Sequence, residues 1–217
     1  MPALKKHVLA PSARKLFAVL RDSPRLNDFF LAGGTALALQ MGHRSSVDFD
    51  FFSPTNQVLE DWRQGVVADL EAKGKVEIQS QNDGTLLLRF ENVPMSFFRY
   101  PYPFVAPPIV EKNLRIAAML DIGLMKMAAI IGRGRKRDFI DLYFVAQQIS
   151  LDELFERCAE KFPNVRDFAL QAARALVYFE DAEADPLPRM FQSVQWNRVK
   201  KFFEREIARI SKEWVGI

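Results

Sequence analysis

Hydrophobic and polar residues alternate in two different ways along this chain, and the change falls near residue 120. Before that point, short apolar runs are separated by turn residues, whereas after it apolar residues recur every three to four positions. The first pattern predicts short strands mixed with helices, and the second predicts amphipathic helices. The alternation is too irregular for a doubly wound parallel sheet. We therefore predict an α+β core over residues 1–112 and a mainly helical part over residues 113–217.

Turn signals divide these two parts into individual elements. The predicted strands span residues 29–32, 46–52, 75–80, 85–90, 95–100 and 114–119, with a proline-rich loop at 101–108. The predicted helices span residues 12–20, 36–42, 57–73, 121–132, 138–148, 151–162, 165–179 and 196–214. Ser12, Asp121 and Asp138 stand where an N-cap is expected.

The composition indicates a folded protein with a substantial core. Hydrophobic residues make up 49% of the chain and 19 residues are Phe, which is more apolar content than disordered chains carry. The net charge of +3 and the pI of about 9.0 are compatible with an anionic partner. Cys158 is the only cysteine, and the sequence has neither a secretory signal core nor an apolar run of the ~20 residues that span a bilayer. We expect a cytoplasmic protein without membrane contact.

The first candidate chemistry lies around two predicted strands. A glycine turn, Gly33-Gly34-Thr35, leads into a short helix, and Asp48 and Asp50 follow in the next strand. Residues two apart in a strand point to the same side, so the two carboxylates repel each other unless a cation lies between them. Their oxygens suit Mg²⁺ or Mn²⁺, and N–H groups at a glycine turn before a helix can bind phosphate. Together these features predict phosphoryl or nucleotidyl transfer, although solvated aspartates and an ordinary turn are the simpler alternative.

A second group of charged residues lies much later in the chain. Lys126 stands in an otherwise apolar stretch of its predicted helix, where it either reaches the surface or contacts phosphate oxygens. The basic loop that contains Arg133 and Arg137 is either solvated or binds a polyphosphate or an RNA backbone. Asp138 either caps the next helix or supports an active site, and Asp141 can face the same side of that helix.

Three other enzyme classes find no support in the sequence. His43 lies close to the acidic strand, but a zinc cluster would need cysteines or another nearby histidine. The chain contains no Gly-x-Ser-x-Gly segment of the kind that carries a hydrolase serine. No Gly-Lys-Ser/Thr follows the glycine turn, so the turn is not a Walker A loop.

Several separated blocks of the chain resemble the AbiEii-type abortive-infection toxins, which belong to the DNA polymerase β-like nucleotidyltransferase superfamily. In chain order, the matching blocks are Gly33-Gly34-Thr35-Ala36-Leu37-Ala38-Leu39, His43-Arg44-x-Ser46-x-Asp48-x-Asp50-Phe51-Phe52, Ser96-Phe97-Phe98-x-Tyr100-Pro101, Met125-Lys126 with Ala129-Ile130 and Arg133, and Arg137-Asp138-Phe139-Ile140-Asp141-Leu142-Tyr143. Their order and spacing agree with the family over residues 29–145.

The resemblance implies an enzyme that moves a nucleoside monophosphate from an NTP to a hydroxyl acceptor, with Mg²⁺ or Mn²⁺. It implies metal binding by Asp48 and Asp50, nucleotide binding by Gly33, Gly34, Thr35, Ser46, Arg133 and Arg137, and catalytic roles for Lys126 and Asp138 in a C-terminal part that completes the cleft. The family includes toxins of toxin–antitoxin pairs, and some relatives transfer nucleotides to RNA. RNA, tRNA in particular, is therefore the expected acceptor, and an antitoxin protein is an expected partner.

The sequence departs from the superfamily pattern at one point. A third carboxylate often stands on a later strand there, but the corresponding strand here, residues 95–100, contains no acid. Glu77, Glu91 or Asp138 is a candidate substitute. Two alternatives stay open: a non-catalytic module that binds a nucleotide or a partner protein, and a transferase that modifies a small molecule such as an antibiotic.

Overall fold

The computed structural model describes residues 3–215 and divides into two compact units. The first unit comprises the chain up to Tyr102 together with Ala106–Ala118, and the second comprises Pro103–Val105 and the chain from Met119 onward. The predicted division between residues 112 and 113 would cut a β-hairpin in two. The hairpin instead lies wholly in the first unit, because both of its strands belong to the same sheet.

The described residues of the first unit form a seven-stranded mixed sheet with helices packed around it. The strands are β1 (Phe30–Ala32), β2 (Phe49–Ser53), β3 (Val76–Asn82), β4 (Thr85–Phe90), β5 (Val93–Arg99), β6 (Ile109–Glu111) and β7 (Leu114–Ile116), and the helices are α1 (Pro11–Leu20), α2 (Gly33–Met41) and α3 (Glu60–Glu71). The sheet order is β3-β4-β5-β2-β1-β7-β6. β2 runs antiparallel to β1 and parallel to β5. The predicted α+β class is confirmed.

Alternation along β2 determines which side chains enter the core. Phe49 and Phe51 are buried, whereas Asp50 between them is partly exposed on the opposite face. Phe51 stacks on Phe97 of β5 with the ring centroids 5.0 Å apart, and Trp62 of α3 packs edge-on against Phe97 at 5.2 Å. Burying each such ring contributes roughly 1.5–3 kcal/mol, so the aromatic face holds β2 in the register that turns Asp50 outward.

The second unit is helical throughout its described length. Its helices are α4 (Met119–Arg133), α5 (Lys136–Val145), α6 (Leu151–Lys161), α7 (Phe168–Leu176), α8 (Glu180–Glu183) and α9 (Trp196–Val215). Phe139 of α5 lies in their shared core, with its ring centroid 5.9 Å from that of Phe203 of α9. Within residues 3–215, no helix is both long enough and apolar enough to cross a membrane.

A buried ion pair holds the segment Pro103–Val105 in the second unit. The fully buried side chains of Lys161 and Asp121 lie 2.8 Å apart. The Lys161 ammonium also donates to the Pro103 carbonyl at 2.6 Å, and the Val105 N–H donates to Asp121 at 2.9 Å. Burial lowers the pKa of Lys161, and the Asp121 carboxylate opposes that shift.

Three sequence-based assignments of caps are wrong, and one strand was missed. α4 begins two residues before Asp121, whose carboxylate serves the ion pair instead. α1 begins at Pro11 without a side-chain cap, so Ser12 lies inside it, and Asp138 likewise lies inside α5. β6 was overlooked because Pro107 and Pro108 stand directly before it and suggest an extended loop.

Candidate active site

The two aspartates that the sequence singled out lie where the chain enters β2. Asp50 is the second residue of that strand, and Asp48 directly precedes the strand. Both are partly exposed, although the neighbouring Phe49 is fully buried. Asp50 is thus carried on a strand with buried neighbours, and both aspartates remain accessible to a ligand.

The glycine turn lies directly beside Asp50. Gly33 opens α2 with φ of +66°, a conformation that residues with a side chain rarely adopt. A Cβ atom on Gly33 would lie 2.9 Å from Asp50 Oδ2, and one on Gly34 would collide with the Arg44 guanidinium and lie 3.2 Å from Ser46 Oγ. Only glycine therefore lets the backbone approach the carboxylate this closely. α2 has no side-chain cap, so N–H groups of its first turn are available to a phosphate.

The Thr35 side chain, expected to bind the nucleotide, is buried. The residue is 1% exposed, its hydroxyl donates to the Asp48 carbonyl, and the oxygens of the Thr35 and Ser46 hydroxyls are 2.9 Å apart. The hydroxyl therefore fastens the segment before β2 to α2. Any contact of Thr35 with a nucleotide would involve its backbone N–H rather than its hydroxyl.

The strand beside Asp50 has a serine where the third carboxylate of the superfamily was sought. Ser96 of β5 is the register partner of Asp50, and its hydroxyl donates to Asp50 Oδ1. Glu77 lies on edge strand β3, three strands from β2, and Glu91 accepts the N–H of Lys75 in the β4–β5 turn region. Neither glutamate can substitute beside Asp50. The role of Ser96 is not visible in the sequence because it depends on the pairing of β2 with β5.

These donors fit a magnesium ion that shares its ligands with a substrate. Proteins usually hold Mg²⁺ through one or two carboxylates, with phosphate oxygens and waters at the remaining positions. Asp50 supplies a carboxylate beside the start of α2, whereas Asp48, just before β2, lines a pocket with residues of α1 and of the start of β5. Residues 3–215 contain no group of three or more His, Cys, Asp or Glu side chains that could hold a metal.

The second unit brings together another set of the predicted residues. Lys126 of α4 lies 2.8 Å from Asp138 Oδ1 and 2.6 Å from Asp141 Oδ2 of α5. Both carboxylates are fully buried, and the Lys126 side chain is 8% exposed. Arg133 also pairs with Asp138, at 3.1 Å. Asp138 thus binds two cations and does not cap α5. Asp141 supplies the second buried carboxylate that pairs with Lys126. No role for it was expected from the sequence.

Several cations of the basic loop already have partners within the second unit. Arg135 pairs with Asp185 at 2.7 Å, and the buried Lys136 ammonium donates to the Glu183 and Asp185 carbonyls. Arg137 lines a cleft beside the segment that contains Asp185. The loop therefore offers less free positive charge to an anionic ligand than its sequence suggests.

The comparison with protein families matches almost the whole chain. Residues 14–215 match the family described as the nucleotidyl transferase AbiEii toxin of a type IV toxin–antitoxin system. An uncharacterised Aquifex aeolicus protein is 36% identical over 189 residues, covering 83% of this chain and 87% of that protein.

Two solved structures share the fold at low sequence identity. A candidate nucleotidyltransferase from H. pylori is 19% identical, with a TM-score of 0.56, covering 94% of this chain and 96% of that one. The nucleotidyltransferase toxin MenT4 from Mycobacterium tuberculosis H37Rv is 16% identical, with a TM-score of 0.55, covering 92% and 86%. The resemblance stated from the motifs is confirmed: the chain belongs to the AbiEii family of nucleotidyl transferase toxins.

Proposed function

We propose that this toxin-family transferase moves a nucleoside monophosphate from a magnesium-bound NTP to a hydroxyl group of RNA. The observation that carries the proposal is the position of Asp50 Oδ2 against Gly33, at the uncapped start of α2. Carboxylates and free N–H groups at one point are the parts that a metal–triphosphate complex requires.

In this proposal, the first unit binds the phosphates and orients the carboxylates. N–H groups of Gly33 and Gly34 at the start of α2 donate to phosphate oxygens, and Ser46 lies beside them. Asp48 and Asp50 would hold Mg²⁺, which when bound offsets the charge that develops on the attacking and leaving oxygens. The acceptor hydroxyl oxygen bonds to the α-phosphorus, the bond to the bridging oxygen breaks, and pyrophosphate leaves.

Lys126, Arg133, Arg137 and Asp138 retain their predicted roles as a proposal. Lys126 has three N–H groups and two carboxylate partners, which leaves one N–H for a phosphate oxygen. Arg133 is 52% exposed beyond its contact with Asp138, so its guanidinium is available to a triphosphate. Asp138 would position both cations rather than touch the substrate.

The acceptor and the biological setting follow from the family and from charge. A net charge of +3 favours an anionic acceptor such as RNA over a cationic one. Membership of a toxin family from type IV toxin–antitoxin systems implies a cognate antitoxin. NTPs and tRNA are both available in the cytoplasm, which is where we place the activity.

A small-molecule acceptor is the main alternative, and one pocket bears on it. Asp28 and Asp61 line a pocket of about 390 Å³ that also contains Trp62, which would suit a cationic molecule such as an aminoglycoside. The pocket lies beyond the end of β2, whose last residue, Ser53, is about 10 Å along the strand from Asp50 at ~3.3 Å per residue. That separation disfavours direct transfer to a molecule bound there.

The experiment measures pyrophosphate release with each NTP, Mg²⁺ and total RNA. Asp48→Asn and Asp50→Asn should each lower the rate at least about 100-fold, because each removes a charged metal ligand. Glu77→Gln is the matched control, since it removes an exposed acid from the same unit, and it should keep the wild-type rate. Melting temperatures establish that every variant is folded.

Two outcomes would decide against the proposal. Normal turnover by folded Asp48→Asn and Asp50→Asn proteins would show that the metal site lies elsewhere. If the wild-type protein binds each of the four NTPs but releases pyrophosphate from none of them, the non-catalytic alternative is favoured. That alternative is motivated by Ser96, which stands where the superfamily often has an acid.

A further inference from the structure

We propose that a basic cleft between α5 and α9 binds the phosphate backbone of single-stranded nucleic acid. This α9 cleft has a volume of about 440 Å³ and is lined by Tyr143, Gln147, Gln195, Asn197, Arg198, Lys201, Phe202 and Arg205. None of these residues belongs to the sets that carry the proposed chemistry. The lining contains three cations and no acid.

The three cations follow one face of a helix. Arg198, Lys201 and Arg205 are spaced at i, i+3 and i+7, so they lie above one another along α9. Among the described residues, Arg198 and Lys201 have no carboxylate within ion-pair distance. Arg205 pairs with Glu206 at 2.8 Å, yet its side chain stays 71% exposed. The cleft therefore presents a stripe of two cations without a carboxylate partner within residues 3–215 and a third that is paired but largely exposed.

Other cations of the same helix show that this stripe is not a general property of α9. Lys200 pairs with Glu183 at 2.6 Å. Arg209 pairs with Asp152 and, at 2.9 Å, with Glu213. Internal partners thus neutralise Lys200 and Arg209, whereas Arg198 and Lys201 in the cleft keep charges that a polyanion could pair with.

The uncharged lining distinguishes nucleic acid from an acidic protein. Phe202 is partly exposed, and the Arg205 guanidinium lies 5.7 Å from the centre of its ring. Aromatic rings and arginine planes are surfaces on which bases stack. The amides of Gln147, Gln195 and Asn197 supply the donors and acceptors that base edges need. An acidic peptide would use the cations but neither the ring nor the amides.

The length of the stripe suits a short stretch of one strand. Seven residues of helix separate Arg198 from Arg205, which is about 10 Å along the axis. At roughly 3.4 Å per nucleotide of a stacked strand, this length matches about three phosphates. Successive phosphates of one strand can contact all three cations of the stripe, so the proposed ligand is a chain.

Calling the bound strand the acceptor rests on the proposed function, whereas the binding itself does not. The test therefore measures binding without NTP or metal, by fluorescence anisotropy of a labelled oligouridine titrated with the full-length protein. Loss of binding in the variants and loss of NTP turnover in Asp50→Asn are then separate results.

The double variant Arg198→Ala/Lys201→Ala should weaken oligouridine binding about tenfold. It should also reduce the slope of log K against log salt by about 1.4, at ~0.7 per phosphate contact. The control is Arg166→Ala/Arg174→Ala, which removes two exposed charges of the same unit outside the cleft; the Arg166 side chain is 95% exposed. The control should bind like the wild type. Phe202→Leu, which keeps apolar volume but removes the ring, should weaken binding several-fold.

Three results would overturn the proposal. The first is an equal loss of oligouridine affinity in the cleft variant and in its control, which would mean that binding depends only on the net charge of the protein. The second is competition by poly-L-glutamate as effective as unlabelled oligouridine, together with unchanged binding by Phe202→Leu, which would identify an acidic-protein site. The third is wild-type affinity in a folded Arg198→Ala/Lys201→Ala protein.

Discussion

At the scale of single residues, the candidate site is built from close approaches that only certain side chains allow. Gly33 lies against Asp50, and a Cβ atom there would be 2.9 Å from the carboxylate. The aspartate pair and the glycine turn could be identified from sequence because both patterns are local. The serine on β5 could not, because parallel pairing of β2 with β5 joins residues that are 46 positions apart.

Ser96 is expected to act as a positioning residue for Asp50. Ser96→Ala removes the hydroxyl that donates to Asp50 Oδ1, and a hydrogen bond to a charged group is worth about 1.5–3 kcal/mol. We expect pyrophosphate release to fall at least tenfold and the Mg²⁺ concentration for half-maximal rate to rise. Steady-state kinetics over a magnesium series measures both effects.

Ser96→Thr is the matched variant because it keeps the hydroxyl. It should retain most of the wild-type rate and magnesium dependence. If the alanine and threonine variants lose activity equally, the side chain acts through strand packing and not through its hydrogen bond to Asp50.

At the scale of elements, local patterns were sufficient for β4, which was predicted at its observed bounds, but not for the helix starts. Asp121 and Asp138 looked like caps because each stands near the start of an apolar helical pattern. Both instead face buried lysines, Lys161 and Lys126. The pairing of Asp121 with Lys161 spans 40 residues, so it depends on packing that periodicity does not describe.

Asp141 is expected to be as important for stability as Asp138. Asp141→Asn leaves the buried Lys126 ammonium with one carboxylate instead of two. Breaking a buried ion pair typically costs about 3–5 kcal/mol, and the remaining Asp138 places this variant near the lower end. Urea unfolding gives the free energy of unfolding directly. The control is Asp181→Asn, which changes an exposed acid of the same unit and should cost less than about 0.5 kcal/mol of unfolding free energy. A similarly small loss in Asp141→Asn would contradict the buried ion pair of Asp141 with Lys126.

The ion pair between α6 and α9 gives a pH-dependent stability. The Arg209 guanidinium holds the pKa of Asp152 below its ordinary value. Because the folded-state pKa is lowered, the stabilisation is present above the unfolded-state pKa of about 3.9 and is lost as the pH falls through the folded-state value. Asp152→Asn should therefore melt below the wild type at pH 7 and close to it once the pH is below the folded-state pKa of Asp152.

Both side chains of that pair are about 40% exposed, so the difference at pH 7 should be small and should shrink in high salt. Glu156→Gln, an exposed acid of the same helix, is the control and should melt like the wild type throughout. If the difference in melting temperature between Asp152→Asn and the wild type persists at low pH, packing and not charge is responsible for the loss of stability.

At the scale of the whole molecule, the class and the family could be predicted, but the sheet order and the distribution of charge could not. The order β3-β4-β5-β2-β1-β7-β6 depends on pairings between strands distant in the chain. The nearly consecutive charges of the basic loop predict an anion-binding site, yet Arg135 and Lys136 are bound to groups within the second unit. Arg198 and Lys201, which have no carboxylate within ion-pair distance among the described residues, lie on α9, where helical spacing separates them along the sequence.

Transfer of label from NTP to an acceptor tests the central claim most directly. The protein is incubated with Mg²⁺, total RNA and NTP that is labelled either at the α-phosphorus or at the γ-phosphorus, with Asp50→Asn as the inactive control. Nucleotidyl transfer predicts that the α-label enters the acceptor, that the γ-label leaves as pyrophosphate, and that Asp50→Asn does neither. Entry of the γ-label into the acceptor, or equal α-labelling by Asp50→Asn, would contradict the account.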